Sequence, residues 1–470
     1  MRPEEARRAL WEDPAEWRAP WRTQASAFRD LVAAVAEGRP LGGGEQPFLE
    51  AATDWLRAGA EEDPGWNGPF GYGWVKEARR RLASRDGSAG REALARHLDR
   101  FHAFPLARAF QSGRDHLLPG PIRVDSPFAL PGTRCSLDGA GAGLEIHGLR
   151  RGALVAGLPG APPAVFPLGG DGPEADRPRG AILALHHAPA ACHGGFELPL
   201  VPHAFAHLGV PQAEPALRAG LDYQRVHVEG LARTLAFVAR FAPGAFEACR
   251  GVLRAAAFKP RDWGGFDDYS HADLPGSCLL SVQPDSLELG DHLIHELQHN
   301  RLQLVEERGP LFLGDGGERP RAYSPWRDSL RGLYGILHGV FVFLGVQRYW
   351  AGALASAPGD LDPARRAYAL DRALRLPLQL RVAVGVLRRH ARLTALGQAV
   401  LQVLEEDVRA VHQAAAASLP PDAPAWSVTA DGACIPERDG AGRPCSVRGS
   451  LAAHRDRHDT EGQAAGLLEA

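Results

Sequence analysis

The sequence has little lysine, no CxxC pair of cysteines and no long hydrophobic run. Each absence argues against one class of protein. Only Lys76 and Lys259 are lysines among the 53 basic residues, and no block of Lys and Arg occurs. With a formal net charge of −3, the chain lacks the basic surface with which nucleic-acid-binding proteins hold phosphates. We therefore expect no nucleic-acid partner, and we treat the abundance of Arg as a bias of composition.

Hydrophobic runs are too short for a membrane protein. The longest one, residues 333–346, contains His338 and is shorter than the roughly 20 residues that a transmembrane helix needs. Residues 1–5 are charged and lack the apolar segment of a signal peptide. These features predict a cytoplasmic protein with no membrane partner.

The six cysteines include no CxxC pair. Cys434 and Cys445 are the closest two in the sequence, and they flank a loop rich in Gly and Pro. They could form a disulfide, but free thiols in a cytosolic chain are the favoured interpretation. A zinc site at this pair would lack two further ligands nearby.

The chain of 470 residues is long enough for two or three structural units. Residues 1–118 look helical, with breaks at the Gly and Pro clusters near 42–44 and 64–72. Residues 119–220 alternate short apolar runs with Gly and Pro turns, which predicts strands and loops. Helical periodicity returns over 221–257, and a connection at 262–284 leads into a strand at 278–282 and the HExxH helix. A loop at 309–325 and long helices over about 326–418 follow, and we assign 221–420 to one helical domain. Residues 421–470 are rich in Ala, Gly, Asp and Pro, and we expect partial disorder there.

These regions predict a mainly α fold of α+β type. A helical half follows an N-terminal region that is first helical and then built of strands and loops. We find no internal repeat.

The most informative motif is HExxH at residues 295–299. Two histidines four apart on a helix share one face, with Cβ atoms about 5–6 Å apart, so His295 and His299 can bind one divalent metal. Asp285 and Glu288 have capping-box spacing before an apolar run of helical period, which predicts a helix here. The alternative is that the two histidines only occupy a helix surface.

Two histidines bind a metal weakly, so a third ligand is needed. The pattern with a third His six residues after the motif fails, because position 305 is Val. Glu306 and Glu307 lie roughly 10–12 Å along the helix axis from His299, which is far for the same ion. His338 is the best candidate, since its setting is apolar and its flanking glycines permit close helix approach. The alternative is a core histidine bonded to a backbone carbonyl, in which case Glu306 or another carboxylate would be the third ligand.

Three blocks of sequence resemble a known family. They are HELQHNRL at 295–302, SPWRD at 324–328 and LHGVFVF at 337–343. Together they resemble the bacterial HEXXH-motif proteins of peptide modification, over roughly residues 220–420. That family is understood as iron-using, 2-oxoglutarate-dependent β-hydroxylases of ribosomally made precursor peptides. Members are often encoded with radical-SAM maturases or fused to them, whereas this chain has no CxxxCxxC cluster and would stand alone.

The resemblance implies Fe(II) held by His295, His299 and His338, with zinc or nickel as the alternative metals after purification. It also implies 2-oxoglutarate as cosubstrate. Three protein ligands suit an oxygenase, because two positions must remain for the 2-oxoglutarate chelate and one for oxygen.

The distal carboxylate of 2-oxoglutarate needs a fixed cation, and Arg makes a bidentate partner. Arg331 is the first choice, because its spacing would place it on one helix face with Tyr334 and His338. Arg327 and Arg301 are the alternatives, and for each the plain interpretation is a surface arginine. Tyr334 is a candidate for the lining of the cosubstrate pocket.

Glu296 has a different role in each candidate function. In a zinc metallopeptidase it is the general base that activates water, whereas in an oxygenase it can orient a ligand histidine or the substrate. Three classes therefore stay open: the peptide hydroxylase, a zinc metallopeptidase, and a non-catalytic metal-containing protein that binds a peptide.

Overall fold

The structure is a computed structural model, and it describes most of the chain. The described residues are 2–37, 45–59, 66, 69–84, 87–124, 128–130, 133–138, 144–151, 153–167, 184–202, 214–260, 268–283, 285–315, 317–326, 329–356, 361–418, 426–428, 434–436 and 443. Helices predominate and the sheets are small, so the prediction of a mainly α chain of α+β type is confirmed.

The regular elements fall into helices and short strands. The helices are α1 Pro3–Arg7, α2 Pro14–Glu37, α3 Glu45–Arg57, α4 Pro69–Ala83, α5 Gly87–Asp99, α6 Ala103–Gln111, α7 Glu214–Arg225, α8 Val228–Phe241, α9 Pro243–Val252, α10 Ser286–Glu306, α11 Leu333–Ala355, α12 Pro363–His390 and α13 Ala395–Ser418. The strands are β1 His116–Val124, β2 Phe128–Ala129, β3 Cys135–Asp138, β4 Leu144–Arg150, β5 Ala153–Gly157, β6 Ala164–Pro167, β7 Ala184–His187, β8 Ala190–His193, β9 Phe196–Pro199, β10 Ala255–Lys259, β11 Ser277–Ser281, β12 Arg321–Ser324, β13 Ser329–Gly332, β14 Trp426–Val428 and β15 Cys434–Pro436. A π-helical turn, Arg8–Glu12, follows α1, and a 3₁₀ turn, Arg100–His102, precedes α6.

The chain forms two compact units. The first comprises Met1–Arg18, Gly230–Val252 and Gln283–Ala470, and the second comprises Ala19–Glu229 and Leu253–Val282. The HExxH helix α10 therefore belongs to the first unit, together with the first residues of the chain. The division into 1–118, 119–220, 221–420 and 421–470 stays a prediction.

The helical part of the second unit is built around aromatic side chains. Phe28 stacks on Phe101 with ring centroids 5.2 Å apart, and Trp66 meets Phe104 edge to face at 4.6 Å. Such ring pairs add stability beyond the burial of their area. Helix α4 begins inside the Pro and Gly cluster predicted to break the helices, because Pro is tolerated in a first helical turn, as at Pro69.

Strands β2 to β9 of the second unit lie where strands and loops are predicted. The end of the segment predicted as helical, 221–257, is wrong, because buried Ala255–Lys259 forms strand β10 and pairs with β11. A four-stranded antiparallel sheet has the order β1-β4-β5-β6, a three-stranded one the order β2-β3-β7, and β8 pairs with β9. Strands β10 and β11 are parallel, with Ala255 opposite Ser277. The strand predicted at 278–282 is β11, displaced by one residue.

The core of the first unit lies among the long helices. Helix α11 packs against α10 and α12, and α13 packs against α12 and α1. Leu302, Leu337 and Phe341 are buried in one cluster with Leu10 from the N-terminal segment. The Asp285 carboxylate accepts the Leu287 N–H at 2.8 Å and caps α10, as the N-cap preference of Asp predicts.

The predicted start of the helix that carries His338 is wrong. The loop expected at 309–325 and the helix expected from 326 are replaced in part by the hairpin of β12 and β13, and α11 begins at Leu333. In this hairpin Ser324 pairs with Ser329 and Ala322 with Arg331. The backbone N–H and C=O groups of these residues form hydrogen bonds across the hairpin, so they do not form the hydrogen bonds of a helical turn. Arg331 is therefore a strand residue and does not share a helix face with His338.

No helix among the described residues is both long enough and apolar enough to cross a bilayer. The tail predicted as partly disordered lies largely outside the described residues, but β14 and β15 within it pair antiparallel. Cys445 also lies outside them, so the disulfide to Cys434 stays untested. Cys135, Cys192, Cys249 and Cys278 are in the reduced thiol form.

Candidate metal centre

Helix α10 places the two histidines of the HExxH motif on one face. The rings of His295 and His299 have centroids 4.9 Å apart and meet edge to face. The side chain of His295 is 26% exposed, and His299 is half-buried. The histidine pair is therefore accessible from solvent at its His295 end.

His338 of α11 reaches the same place. Its Nδ1 atom lies 3.2 Å from Nδ1 of His299, and the two rings stack with centroids 5.4 Å apart. Two nitrogens that each lie about 2.0–2.1 Å from one ion at near-tetrahedral or octahedral angles are about 2.9–3.4 Å apart. The spacing of these two nitrogens fits joint coordination of one metal.

Small residues explain how α10 and α11 come so close. A Cβ atom at Gly290 would overlap the ring of Tyr349, and one at Gly345 would overlap the side chain of Gln298. The Tyr349 hydroxyl donates to the Leu287 carbonyl at 2.9 Å and joins the two helices. The glycines thus permit the approach that brings His338 to His299.

Glu306, in the last turn of α10, meets His338 from the other side. Its Oε1 lies 3.3 Å from Nε2 of His338, and its Oε2 accepts a hydrogen bond from the Tyr334 hydroxyl at 3.0 Å. The ring of Tyr334 lies over that of His338 with centroids 4.3 Å apart. Burial, and then the Glu306 carboxylate, raise the pKa of Tyr334 well above its usual range, so its hydroxyl is a proton donor at any physiological pH.

The histidines do not form a complete metal site. Within the part of the chain that the structure describes, no group of three or more His, Cys, Asp and Glu side chains has an arrangement that could hold a metal ion. The two facing nitrogens of His299 and His338 are in place. His295, one helical turn before His299, would have to turn its ring to join them.

Glu296 is buried beside the histidine pair. It is 2% exposed, and its Oε1 lies 3.9 Å from Nε2 of His295. That separation is too long for a direct hydrogen bond. The carboxylate is therefore close to the candidate centre without being bonded to its outer histidine.

The three candidate arginines have different surroundings. Arg301 is buried in the core, where it donates to Gln298 Oε1 at 3.0 Å and to the Leu10 carbonyl. Its guanidinium also lies over the ring of Trp11, 5.2 Å from the centroid. Arg301 follows His299 by two residues, so it lies on a side of α10 away from the histidine pair. Its guanidinium is engaged there by these contacts.

Arg331 is a strand residue whose side chain reaches the first turn of α11. Its side chain runs alongside Gly335 in the first turn of α11, with Nη1 3.8 Å from the position that a Cβ atom would take there. Arg331 therefore lies at the end of α11 from which Tyr334 and His338 project. Arg327 lies outside the described residues.

An aromatic wall borders the histidine pair. The ring of Phe343 lies 5.2 Å from that of His295 and 5.0 Å from that of Trp326. A Cβ atom at Gly339 would overlap the Trp326 indole. The residue that follows His338 is therefore in tight contact with the hairpin, through Trp326.

Glu306 contacts His338 of the site, although its distance from His299 along α10 made it the weaker candidate in the sequence. Its rise along the helix from His299 is large, but His338 bridges the gap from α11. The i, i+7 spacing of His299 and Glu306 is the signal that could have found it, because residues two turns apart lie on one helix face.

Comparison with known proteins gives no family for this chain. No protein-family model matches it, and no curated protein sequence matches it.

Proposed function

We propose that the protein is an Fe(II)- and 2-oxoglutarate-dependent oxygenase that β-hydroxylates a side chain of a ribosomally made peptide. The main support for a metal centre is the distance of 3.2 Å between the Nδ1 atoms of His299 and His338. The resemblance of the three sequence blocks to the peptide-modifying HEXXH proteins supplies the reaction. A radical-SAM maturase is a proposed partner on the same ground.

In this proposal His295, His299 and His338 hold the metal. His295, whose side chain is 26% exposed, would complete the set through a change of its side-chain rotamer. When bound, Fe(II) supplies the redox chemistry that couples dioxygen to the oxidative decarboxylation of 2-oxoglutarate.

Arg331 binds the distal carboxylate of 2-oxoglutarate in this proposal. It lies beside Gly335, at the end of α11 from which His338 projects. Arg301 is a poorer candidate, because its guanidinium already binds Gln298 and the Leu10 carbonyl. A bidentate contact from Arg331 would set the orientation of the cosubstrate.

The aromatic wall and Glu296 complete the proposed site. Phe343 packs against the ring of His295, and Trp326 packs against Phe343, so this wall limits the access of water to one side of His295. Glu296 is buried 3.9 Å from His295, and in this proposal it orients that ring once the ring has changed rotamer, or it orients the peptide substrate. Neither role requires the carboxylate to transfer a proton.

The test uses the full chain with Fe(II), 2-oxoglutarate, oxygen and the precursor peptide encoded nearest to its gene. The balanced reaction consumes one dioxygen and one 2-oxoglutarate, and yields succinate, carbon dioxide and a peptide heavier by one oxygen atom. We expect that mass gain only when all three small molecules are present. Peptide cleavage with zinc, independent of oxygen and without the mass gain, would contradict the proposal and favour the metallopeptidase.

A further inference from the structure

We propose that Glu306 and Tyr334 are positioning residues that fix the ring of His338, so that its Nδ1 atom is the nitrogen presented to the metal. The inference rests on the proposed metal centre and deepens it. It gives Tyr334 a role different from contact with the cosubstrate, and it gives Glu306 a role other than that of a ligand.

The hydrogen bond to Glu306 determines which ring nitrogen of His338 carries the proton. A carboxylate can only accept, so the contact of 3.3 Å between Glu306 Oε1 and His338 Nε2 places the hydrogen on Nε2. A neutral imidazole with Nε2–H has its lone pair on Nδ1. That is the atom 3.2 Å from His299, so the lone pair faces the other candidate ligand.

Tyr334 holds the carboxylate in this orientation. Its hydroxyl donates to Glu306 Oε2 at 3.0 Å, so both carboxylate oxygens have a partner on α11. Its ring also covers the ring of His338 at 4.3 Å. Glu306 is only 18% exposed, so water competes little for these contacts. The imidazole of His338 is therefore held at its edge and at its face.

The same geometry argues against Glu306 as a metal ligand. The carboxylate meets Nε2 of His338, which is the nitrogen remote from His299. A single ion between His299 and His338 would lie on the Nδ1 side of the ring. Metal-bound histidines commonly donate their other ring N–H to a carboxylate, which fixes the tautomer and raises the basicity of the ligand.

Metal binding without turnover tests this role. Co(II), which gives spectra that Fe(II) and Zn(II) do not, is titrated into the full chain in competition with a chelator. We expect Glu306→Ala to weaken Co(II) binding about 10–100-fold, the usual effect of losing such a carboxylate. Glu306→Gln should lose less, because its amide oxygen still accepts from Nε2–H. Tyr334→Phe should lose less than Glu306→Ala, since it keeps the ring contact.

The matched control is Glu307→Gln. Glu307 is the next residue in the sequence and is exposed, so this variant makes the same change of charge without touching His338. We expect it to bind Co(II) like the parent chain. An equal loss in Glu307→Gln and Glu306→Gln would overturn the proposal, because it would reflect charge alone.

A spectroscopic signal distinguishes positioning from general stability. In the Co(II) protein, the proton on His338 Nε2 should give a paramagnetically shifted NMR signal that is absent from His338→Ala. We expect this proton to exchange with water faster in Glu306→Gln and Tyr334→Phe, even where thermal unfolding of the metal-free proteins is unchanged. Unchanged exchange together with unchanged affinity would overturn the positioning role. Failure of the parent chain to bind Co(II) would instead overturn the metal centre itself.

Discussion

His299 and His338 face each other through their Nδ1 atoms at 3.2 Å, although 39 residues separate them in the sequence. The two residues lie on different helices, so their contact depends on how α10 and α11 pack. Gly290 of α10 and Gly345 of α11 permit that packing, and Gly339 permits the contact of α11 with Trp326 of the hairpin. Substitutions at the helix contact should therefore change metal binding without touching a ligand.

Gly339→Ala should weaken both the fold and the metal centre. A Cβ atom there would overlap the Trp326 indole, so either the hairpin or α11 must shift. Added atoms in a packed core usually lower the free energy of unfolding by about 1–3 kcal/mol. Because position 339 follows His338 directly, we expect weaker metal binding in a titration as well as a lower melting temperature.

Gly335→Ala is the matched control for that substitution. The atoms nearest to a Cβ at Gly335 belong to Arg331 and lie 3.8 Å or more away, which is ordinary van der Waals contact. We expect little change in melting temperature or metal affinity. Equal effects of the two substitutions would show that the loss of glycine in α11, rather than the contact with Trp326, is responsible.

The sequence predicts those parts of the site that depend on one helix. The cap at Asp285 and the apolar period suffice to predict α10, and the i, i+4 spacing predicts the histidine pair. The packing of α11 on α10 depends on contacts between distant residues, such as Gly345 with Gln298. No local pattern specifies such contacts. The i, i+7 spacing places Glu306 on the helix face of His299, but its contact with His338 depends on this packing.

The strand position of Arg331 could not be predicted from helical periodicity. The spacing of residues 331, 334 and 338 fits a helix, but strand pairing with Ala322 takes Arg331 into the hairpin. Periodicity identifies α11 correctly but places its start too early. The start depends on the pairing of β13 with β12, which the periodicity of a single segment does not contain.

Arg331→Ala should impair use of the cosubstrate while leaving metal binding intact. Loss of one partner from a buried charged pair costs about 2–5 kcal/mol, so the apparent KM for 2-oxoglutarate should rise roughly 30-fold or more. Arg321→Ala is the control, since Arg321 is an exposed arginine of the same hairpin that donates to the Leu330 carbonyl. Equal KM values for parent and Arg331→Ala would remove Arg331 from the cosubstrate site.

Glu296→Gln separates the oxygenase from the metallopeptidase. A peptidase should lose nearly all activity, because the glutamate is its general base. The oxygenase should keep its metal and retain measurable succinate formation, since its reaction needs no base at this position. Complete loss of turnover with full metal binding and an unchanged melting temperature would count against the oxygenase.

Two buried histidines should make the second unit sensitive to acid. Burial lowers the pKa of His97 and of His102 to about 4 each, from 6.5. As the pH falls, these histidines take up protons in the unfolded chain before they do so in the folded one. The free energy of unfolding is therefore unaffected by them above pH 6.5, and it falls as the pH drops towards 4. The loss reaches about 3 kcal/mol for each histidine. Asp99, whose pKa burial raises to about 6, offsets part of that loss below pH 6.

His102→Phe tests this sensitivity. Among the residues that the structure describes, neither ring nitrogen of His102 has a hydrogen-bond partner, so a phenyl ring replaces the imidazole without breaking a described bond. Urea unfolding followed by Trp fluorescence should show a smaller fall in stability between pH 6.5 and 4 than in the parent chain. An identical pH dependence would mean that His102 is not the group that binds the proton.

The most direct test of the shared metal centre is a double-mutant cycle on metal affinity with His299→Ala, His338→Ala and both together. His390→Ala, on α12, is the control. We expect one Co(II) per parent chain, a large loss in each single variant, and a double variant whose loss in binding free energy is clearly smaller than the sum, because both residues hold the same ion. Parent-like stoichiometry and affinity in His338→Ala would contradict a centre shared by α10 and α11.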